Sequence, residues 1–436
     1  MGIQHSIMQR REMIANIGWS LASVALTGTL LSSLRKNSAR SILLVSGWQT
    51  VNIGDIAHTP GMIHLLNTYL PDVRITLWPN DISIVEEKML LSNFPALKIV
   101  YGKLNQNGLP DTEEVHKALL ENDFLLHGSG PGIVGQSKLE AWKKATGKPF
   151  GVFGVTITSV PPGLKELLNG ASFIFTRETA SLKVLSDAGI TQPLTGFAPD
   201  ATFFMPVRND ASAEAFMRTR KLEDRKFICM APRSRYTPYH RIHDLNSWDV
   251  EKIRQVINDN LKYAETDHEK LRHVIIRWVT ETGNKVVLVP EMEYQTELYE
   301  PYLYNPLPEE IKQNVEMHPY WQPDEAASLY ARAAAVISME CHSPIISLVN
   351  GTPAFYVRQP SDTIKGQMYY DLRLEDWVFE IEETRGEDIA KSLMEVYHGY
   401  NLALNKVKAL NQRIRKIYDY SMDKVSAIGF RSMKNY

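Results

Sequence analysis

SILLVSGWQTVNIGD, residues 41–55, decides how the chain is read. Its first six residues have an unbroken apolar centre, Ile42 to Val45, which suits a strand covered on both faces. Gly47 then breaks the run, and Asn52 and Asp55 are residue types that accept hydrogen bonds from the free N–H groups at the start of a helix. A strand that ends in a turn and a capped helix is half of a parallel βα unit.

Working outward, the unit repeats. RITLWP (74–79), LKIVYG (97–102), DFLLHG (123–128), FGVFGV (150–155) and SFIFTR (172–177) read as further strands, and stretches such as GMIHLLNTYL and SKLEAWKKATG supply the helical crossovers that parallel strands need. Residues 206–225 are polar and show no strand pattern. A second series then follows: KFICMAP (226–232), KVVLVPE (285–291), VEMHPY (315–320), AAVISM (334–339) and TPAFYV (352–357). Its first two strands are separated by an insertion carrying Tyr236, Tyr239, His240, Arg241 and His243, then a helix predicted from about Trp248 to Tyr263. A loop of this kind is expected to form a lid or substrate collar. The predicted fold class is α/β, with two doubly wound parallel-sheet domains facing each other across a cleft. They span 41–205 and 226–375, with 206–225 as linker and 376–436 as C-terminal helices that pack across both.

A length of 436 residues fits two domains, and 44% hydrophobic with 22% charged residues fits a globular chain. The formal net charge of −2 and the lack of a basic stripe argue against a nucleic-acid partner. Cys229 and Cys341, the only cysteines, lie far apart without metal-binding spacing, so neither a metal site nor a disulfide is expected. Residues 1–40 stand apart. Arg10 and Arg11 precede the uncharged stretch 13–34, which reads as a twin-arginine export signal and implies a periplasmic or membrane-anchored protein. Arg35, Lys36 and Arg40 follow that stretch, where positive charge opposes translocation, and no A-x-A cleavage site is present. An uncleaved membrane anchor, or an amphipathic helix on a cytoplasmic surface, is the alternative.

Ligands of open α/β sheets sit outside the carboxyl ends of the strands, so the loops after the strands are where chemistry is sought. Four stand out. Asn52, Gly54 and Asp55 open a helix whose free N–H groups attract anions, or simply cap a βα turn. Gly128, Ser129 and Gly130 belong to a glycine-rich run that bends sharply or approaches a ligand closely, without Walker or dinucleotide spacing. Arg177, at a strand end, either holds an anion or ties loops together through Glu178 or Asp200. His342 opens a helix after AAVISM. There the positive end of the helix dipole is expected to depress its pKa, leaving either an acid–base residue or a loop cap, while Cys341 reads as a packed side chain.

Taken together and in this order, the loops resemble the polysaccharide pyruvyl transferase family. The matching pieces are N-x-G-D at Asn52 to Asp55, the glycine-rich loop at Gly128 to Gly130, and R-E-x-x-S at Arg177 to Ser181 with the later Pro199-Asp200. The His342 loop with G-x-P at Gly351 to Pro353, and Lys365-Gly366, complete the set. The resemblance implies a fold like that of B-type glycosyltransferases and transfer of a pyruvyl group from phosphoenolpyruvate, as co-substrate, onto two hydroxyls of a glycan sugar, with no bound cofactor. It implies His342 as the acid and, by loop position, Arg233, Arg235, Arg358 and Lys365 as cations for the donor. One position departs from the family: Glu340 stands where an arginine is usual two residues before the histidine. A carboxylate there repels an anionic donor unless Arg233 or Arg235 pairs with it, or it serves as a base. Three rivals therefore stand beside pyruvyl transfer: a transferase using a nucleotide sugar, an exported enzyme processing pyruvylated sugars, and a non-catalytic glycan-binding protein. Acceptor sugar, linkage and oligomeric state are open.

Overall fold

The computed structural model describes residues 40–242 and 248–429, so His243 and all but the last residue of the 1–40 stretch read as an export signal lie outside the described residues. Two parallel sheets organise the chain. The first has seven strands in the order β3-β2-β1-β4-β5-β6-β7 and the second six, β10-β9-β8-β11-β12-β13. The first sheet is built from β1 (Ser41–Ser46), β2 (Arg74–Pro79), β3 (Lys98–Ile99), β4 (Phe124–His127), β5 (Phe150–Val155), β6 (Phe173–Thr176) and β7 (Leu194–Phe197). The second is built from β8 (Phe227–Ala231), β9 (Lys285–Leu288), β10 (Val315–Met317), β11 (Ala335–Ser338), β12 (Ala354–Arg358) and β13 (Val378–Glu380). Five helices matter below: α1 (Ile53–Tyr69), α2 (Val250–Thr282), α3 (His342–Val349), α4 (Gly386–His398) and α5 (Tyr400–Gly429).

Strand order follows from burial. The central strands β1, β4, β8 and β11 are buried along their whole length, as their continuous apolar runs require. In both sheets the order reverses between the first and fourth strands, so a crevice opens beyond β1/β4 and another beyond β8/β11. Two strands were not anticipated, β7 and β13, and both are edge strands. LTGF in β7 is only half buried or exposed and has no apolar run to betray it. LKIVYG and VEMHPY pair over fewer residues than their apolar character suggests.

The predicted helix from Trp248 to Tyr263 is in fact the 33-residue α2, running on to Thr282. Asp249 starts it by accepting from Lys252 N at 2.8 Å, and Gly283 ends it at φ 67°, where only glycine turns without strain. The polar stretch in its middle hid this continuity. Residues 206–225 likewise hold a helix, Asp210–Arg220, capped by Asn209. Asn209 N donates to Asp324 O at 3.0 Å and Ser212 Oγ to Glu325 at 2.6 Å, which fastens that helix to the second sheet's side.

Apolar side chains from one face of the first sheet, from the second sheet and from α4 and α5 form one continuous cluster, while the other face of the first sheet has its own. Helix α5 returns to the first sheet. Its Tyr418 hydroxyl donates to Asp200 O at 2.7 Å, and Tyr69 donates to Asp419 at 2.6 Å. At the mouth between the sheets the loops also join directly: Ile53 N donates to Glu291 O at 2.9 Å and Glu293 N to Val51 O at 3.1 Å, an antiparallel bridge centred on Asn52 and Met292. Among the described residues no helix is long and apolar enough to cross a membrane.

Candidate active site

The two crevices merge into a cleft of about 310 Å³, lined from the first sheet by Trp48, Asn52, Asp55 and Arg177 and from the second by Arg233, Glu340, His342 and Lys365. Asn52 caps α1, its side chain accepting from Gly54 N at 2.8 Å and Asp55 N at 3.4 Å. Gly54 faces the His342 ring so closely that a Cβ would overlap it. Glycine at this point therefore lets the His342 ring lie directly against α1.

His342 is held from three sides. Glu291, directly beyond β9, accepts from His342 N at 3.1 Å and from Ser343 N at 2.5 Å, so it caps α3 while also lying 3.1 Å from His342 Nδ1. Cys341 Sγ lies 3.5 Å from the same ring nitrogen. Asp200 Oδ2 stands 3.6 Å from Nε2, which has no hydrogen-bond partner. Burial opposes charging of the ring, but the Cys341 sulfur, Asp200 and Glu291 outweigh it and hold the imidazole pKa well above its ordinary value. The sequence expectation of a depressed pKa is thus corrected: the helix end is a partial charge, and Glu291 sits on that end. The carboxylates around the ring thus favour its charged form.

Asp200 is the hub beneath the cleft. It accepts from Arg177 Nη1 at 2.6 Å and Thr202 N at 2.9 Å, and it meets His58 Nδ1 at 2.8 Å. Burial raises its pKa, yet His58, His342 and Arg177 pull it well below the carboxylate range. Arg177 also donates from Nε to Thr156 at 2.7 Å, so it faces the cleft while committed to a fully buried network. Asp55 is bonded by Gln49 and lies 3.6 Å from His58 Nε2; burial works against its ionisation, but His58, His342 and Gln49 lower its pKa.

On the second sheet's side Arg233 is paired with Asp362, and its Nε lies 3.2 Å from Glu340 Oε1. Lys365 reaches Asp362 at 3.0 Å. Gln295 donates to Glu340 Oε1 at 2.9 Å. Burial pushes the Glu340 carboxyl up to about 7, against the pull of Arg233. Asp362 and Lys365 sit on a tight turn, Pro360–Gly366, in which the β-branched Thr363 adopts φ 55° and ψ −146°. Such a conformation costs about 1–3 kcal/mol and has to be held by its surroundings. Here Arg358 Nη2 donates to the Thr363 carbonyl at 2.6 Å.

The structure therefore brings Asn52, Asp55, Arg177, Arg233, Glu340, His342 and Lys365 to one cleft, with Gly54 behind His342. It does not bring Gly128, Ser129, Gly130, Arg235 or Arg358 to the lining. Ser129 is fully buried, donating to Gly154 O at 2.8 Å and accepting from Ala201 N at 3.2 Å, and Gly130 leaves room for the Trp48 indole. The same loop contributes Pro131 and Val134 instead. Arg235 is locked to Asp267 and Glu382 over the face of Tyr263, so the partner of Glu340 is Arg233 and not Arg235. Arg358 pairs with Glu380 and braces the Thr363 turn. From the insertion, Thr237 and Tyr239 line the cleft.

Sequence reasoning missed Glu291 and His58. Glu291 follows the apolar run KVVLVP at the carboxyl end of β9, the position where site residues belong, and His58 lies one helical turn after Asp55. Two groups, His58–Asp200–His342 and Glu291–Cys341–His342, are close enough to be weighed as cation sites. Their acceptors are already committed, Asp200 to Arg177 and Glu291 to the backbone of α3, so they serve as ion-pair networks and we assign them no ion.

Two doubly wound parallel sheets with a cleft between them are the fold of B-type glycosyltransferases. Solved structures share it. Alr3699/HepE of Anabaena, in complex with UDP-glucose, is 12% identical with a TM-score of 0.54, over 89% of this chain and 99% of its own. The UDP-GlcNAc 2-epimerase of Neisseria meningitidis is 11% identical at 0.55, over 88% and 99%. S. aureus MnaA with UDP is 12% identical at 0.53, over 89% and 98%. At such identity these likenesses concern the fold alone. Curated protein sequences contain no match to the chain. The family model for polysaccharide pyruvyl transferase, however, matches residues 52–360, and the chain belongs to that family.

Proposed function

We propose that the chain transfers a pyruvyl group from phosphoenolpyruvate to two hydroxyls of a glycan sugar, forming a ketal. The observation that carries this reading is His342: an imidazole on the wall of the cleft, set between Asp200 and Glu291, which favour its charged form, with an Nε2 that makes no hydrogen bond. Such a group supplies a proton to a carbon that must accept one.

In the proposed reaction His342 protonates the terminal methylene carbon of the enol, and positive charge develops at the carbon bearing the carboxylate. One acceptor hydroxyl adds there, the C–O bond to phosphate breaks, and the second hydroxyl closes the ring. Of the two hydroxyl protons, one restores His342 and one leaves with phosphate. Arg233 and Lys365 face the donor's negative charges, and Asp55, on the opposite wall, relays the second hydroxyl proton to the departing phosphate. Trp48 and Tyr239 offer flat apolar surface to a sugar ring.

Phosphate release from phosphoenolpyruvate with a panel of glycan acceptors tests the reading, and His342→Ala is expected to abolish it. Thermal stabilisation by UDP-sugars but not by phosphoenolpyruvate would overturn it in favour of a nucleotide-sugar transferase. Phosphoenolpyruvate is a cytoplasmic metabolite, so amino-terminal sequencing of the native product is the companion test. A mature chain beginning near residue 40 supports export through the twin-arginine-like segment and argues against this donor.

A further inference from the structure

Glu340 is the residue that sets this cleft apart, and its surroundings give it a task. Its Oε1 takes both protein contacts, from Gln295 at 2.9 Å and Arg233 Nε at 3.2 Å. Arg233 is 7% exposed, yet its Nε has no hydrogen-bond partner. Glu340 approaches it as a charge and not along the N–H direction, which leaves a buried donor without an acceptor on a residue that lines the cleft.

The charges around the cleft are already spent on one another. Arg177 is paired with Asp200, and Arg233 and Lys365 with Asp362. His342 stands between Asp200 and Glu291. An arriving anion thus meets cations already matched by carboxylates, with Glu340 as a direct competitor for Arg233.

We infer that binding of an anion in this cleft is coupled to uptake of one proton by Glu340, which changes from a rival for Arg233 into a hydrogen-bond donor to the anion. The inference rests on the reading that the cleft takes an anionic donor. The groups facing Glu340 agree with it. Arg233 and Lys365 favour its ionised form, whereas Glu291, Asp362 and burial favour the protonated one, and Tyr239 and Tyr294 carry no charge at neutral pH. Burial has already brought the carboxyl into the neutral range.

The test is calorimetric binding of pyruvate, sulfate and phosphoenolpyruvate to the full chain in buffers of different ionisation heat. Pyruvate and sulfate keep their own charge throughout the neutral range, so any proton taken up belongs to the protein. For the wild type we expect close to one proton per anion on the alkaline side of the Glu340 titration. There the affinity should fall about tenfold per pH unit. Glu340→Gln should bind the same anions tightly at every pH with no proton uptake. Binding by the wild type without proton uptake overturns the inference and leaves the anionic-donor reading standing, whether or not the variant folds. An equal pH slope in Glu340→Gln overturns it too. If none of the three anions binds either protein, the donor reading fails and the inference with it.

Discussion

Gly54 in α1 and His342 in α3 follow strands of different sheets and touch, so each limits what the other can be. A methyl group at position 54 would displace the imidazole. We predict that Gly54→Ala lowers transfer activity about 100-fold, the order expected when a reacting group moves by about 1 Å. Circular dichroism should show an intact fold, because alanine suits a helix. Glu291 tunes the same ring electrically. With the folded-state pKa of His342 above its unfolded value, stability drawn from that charge is complete below the ordinary imidazole range and is lost as pH rises through the folded value. Glu291→Gln is expected to move the alkaline limb of the pH–rate profile down by roughly one to two units, the usual effect of one close opposite charge. An NMR titration of the His342 ring should follow it, and an unchanged titration would show that the remaining neighbours alone hold the charge.

At the scale of elements, the antiparallel bridge between residues 51–53 and 291–293 fixes the distance across the cleft. Ile53 is the first residue of α1, where proline is tolerated, and Asn52 before it is already extended at φ −137° and ψ 116°, as a residue before proline must be. Ile53→Pro thus removes one N–H and part of a buried side chain and little else. We expect a loss of about 1–3 kcal/mol in chemical denaturation, against about 0.5–1.5 kcal/mol for the control Ile53→Val. Activity should fall in the proline variant only. The same elements show what was legible beforehand. Central strands announce themselves because burial on both faces demands an unbroken apolar run, as in SILLVS and KFICMAP. Edge strands such as β7 and β13 face no such demand, and α2 hides its continuity because a helix on the surface tolerates KYAETDHEK in its middle. Site loops were legible by position after strands, which found Asn52, Asp55, Glu340 and His342. Side-chain direction was not, so Arg235 and Ser129 point to partners that sequence separation conceals: Asp267 lies 32 residues from Arg235 and Ala201 lies 72 from Ser129.

For the molecule as a whole, α5 is the strap that ties the second sheet's side back to the first. Tyr418 lies fully buried between Phe153 and Phe204 and bonds the backbone of Asp200, the residue beneath His342. Tyr418→Phe keeps the ring and deletes the hydroxyl, so we expect a loss of about 0.5–1.5 kcal/mol in denaturant melts. A stability change without any effect on the His342 titration would show that the strap supports the fold but not the site. Calorimetry should record one heat-absorption peak for residues 41–429, since a shared interior gives the halves no separate melting point.

The continuous apolar cluster has a consequence for lineage. A half-protein inherited from one relative and joined to the complementary half of another would carry mismatched interior shapes at the seam. Viable shuffling in such a chain must then proceed by exchanging loops around a conserved interior, and new acceptor preferences would arise first in the insertion that bears Thr237 and Tyr239.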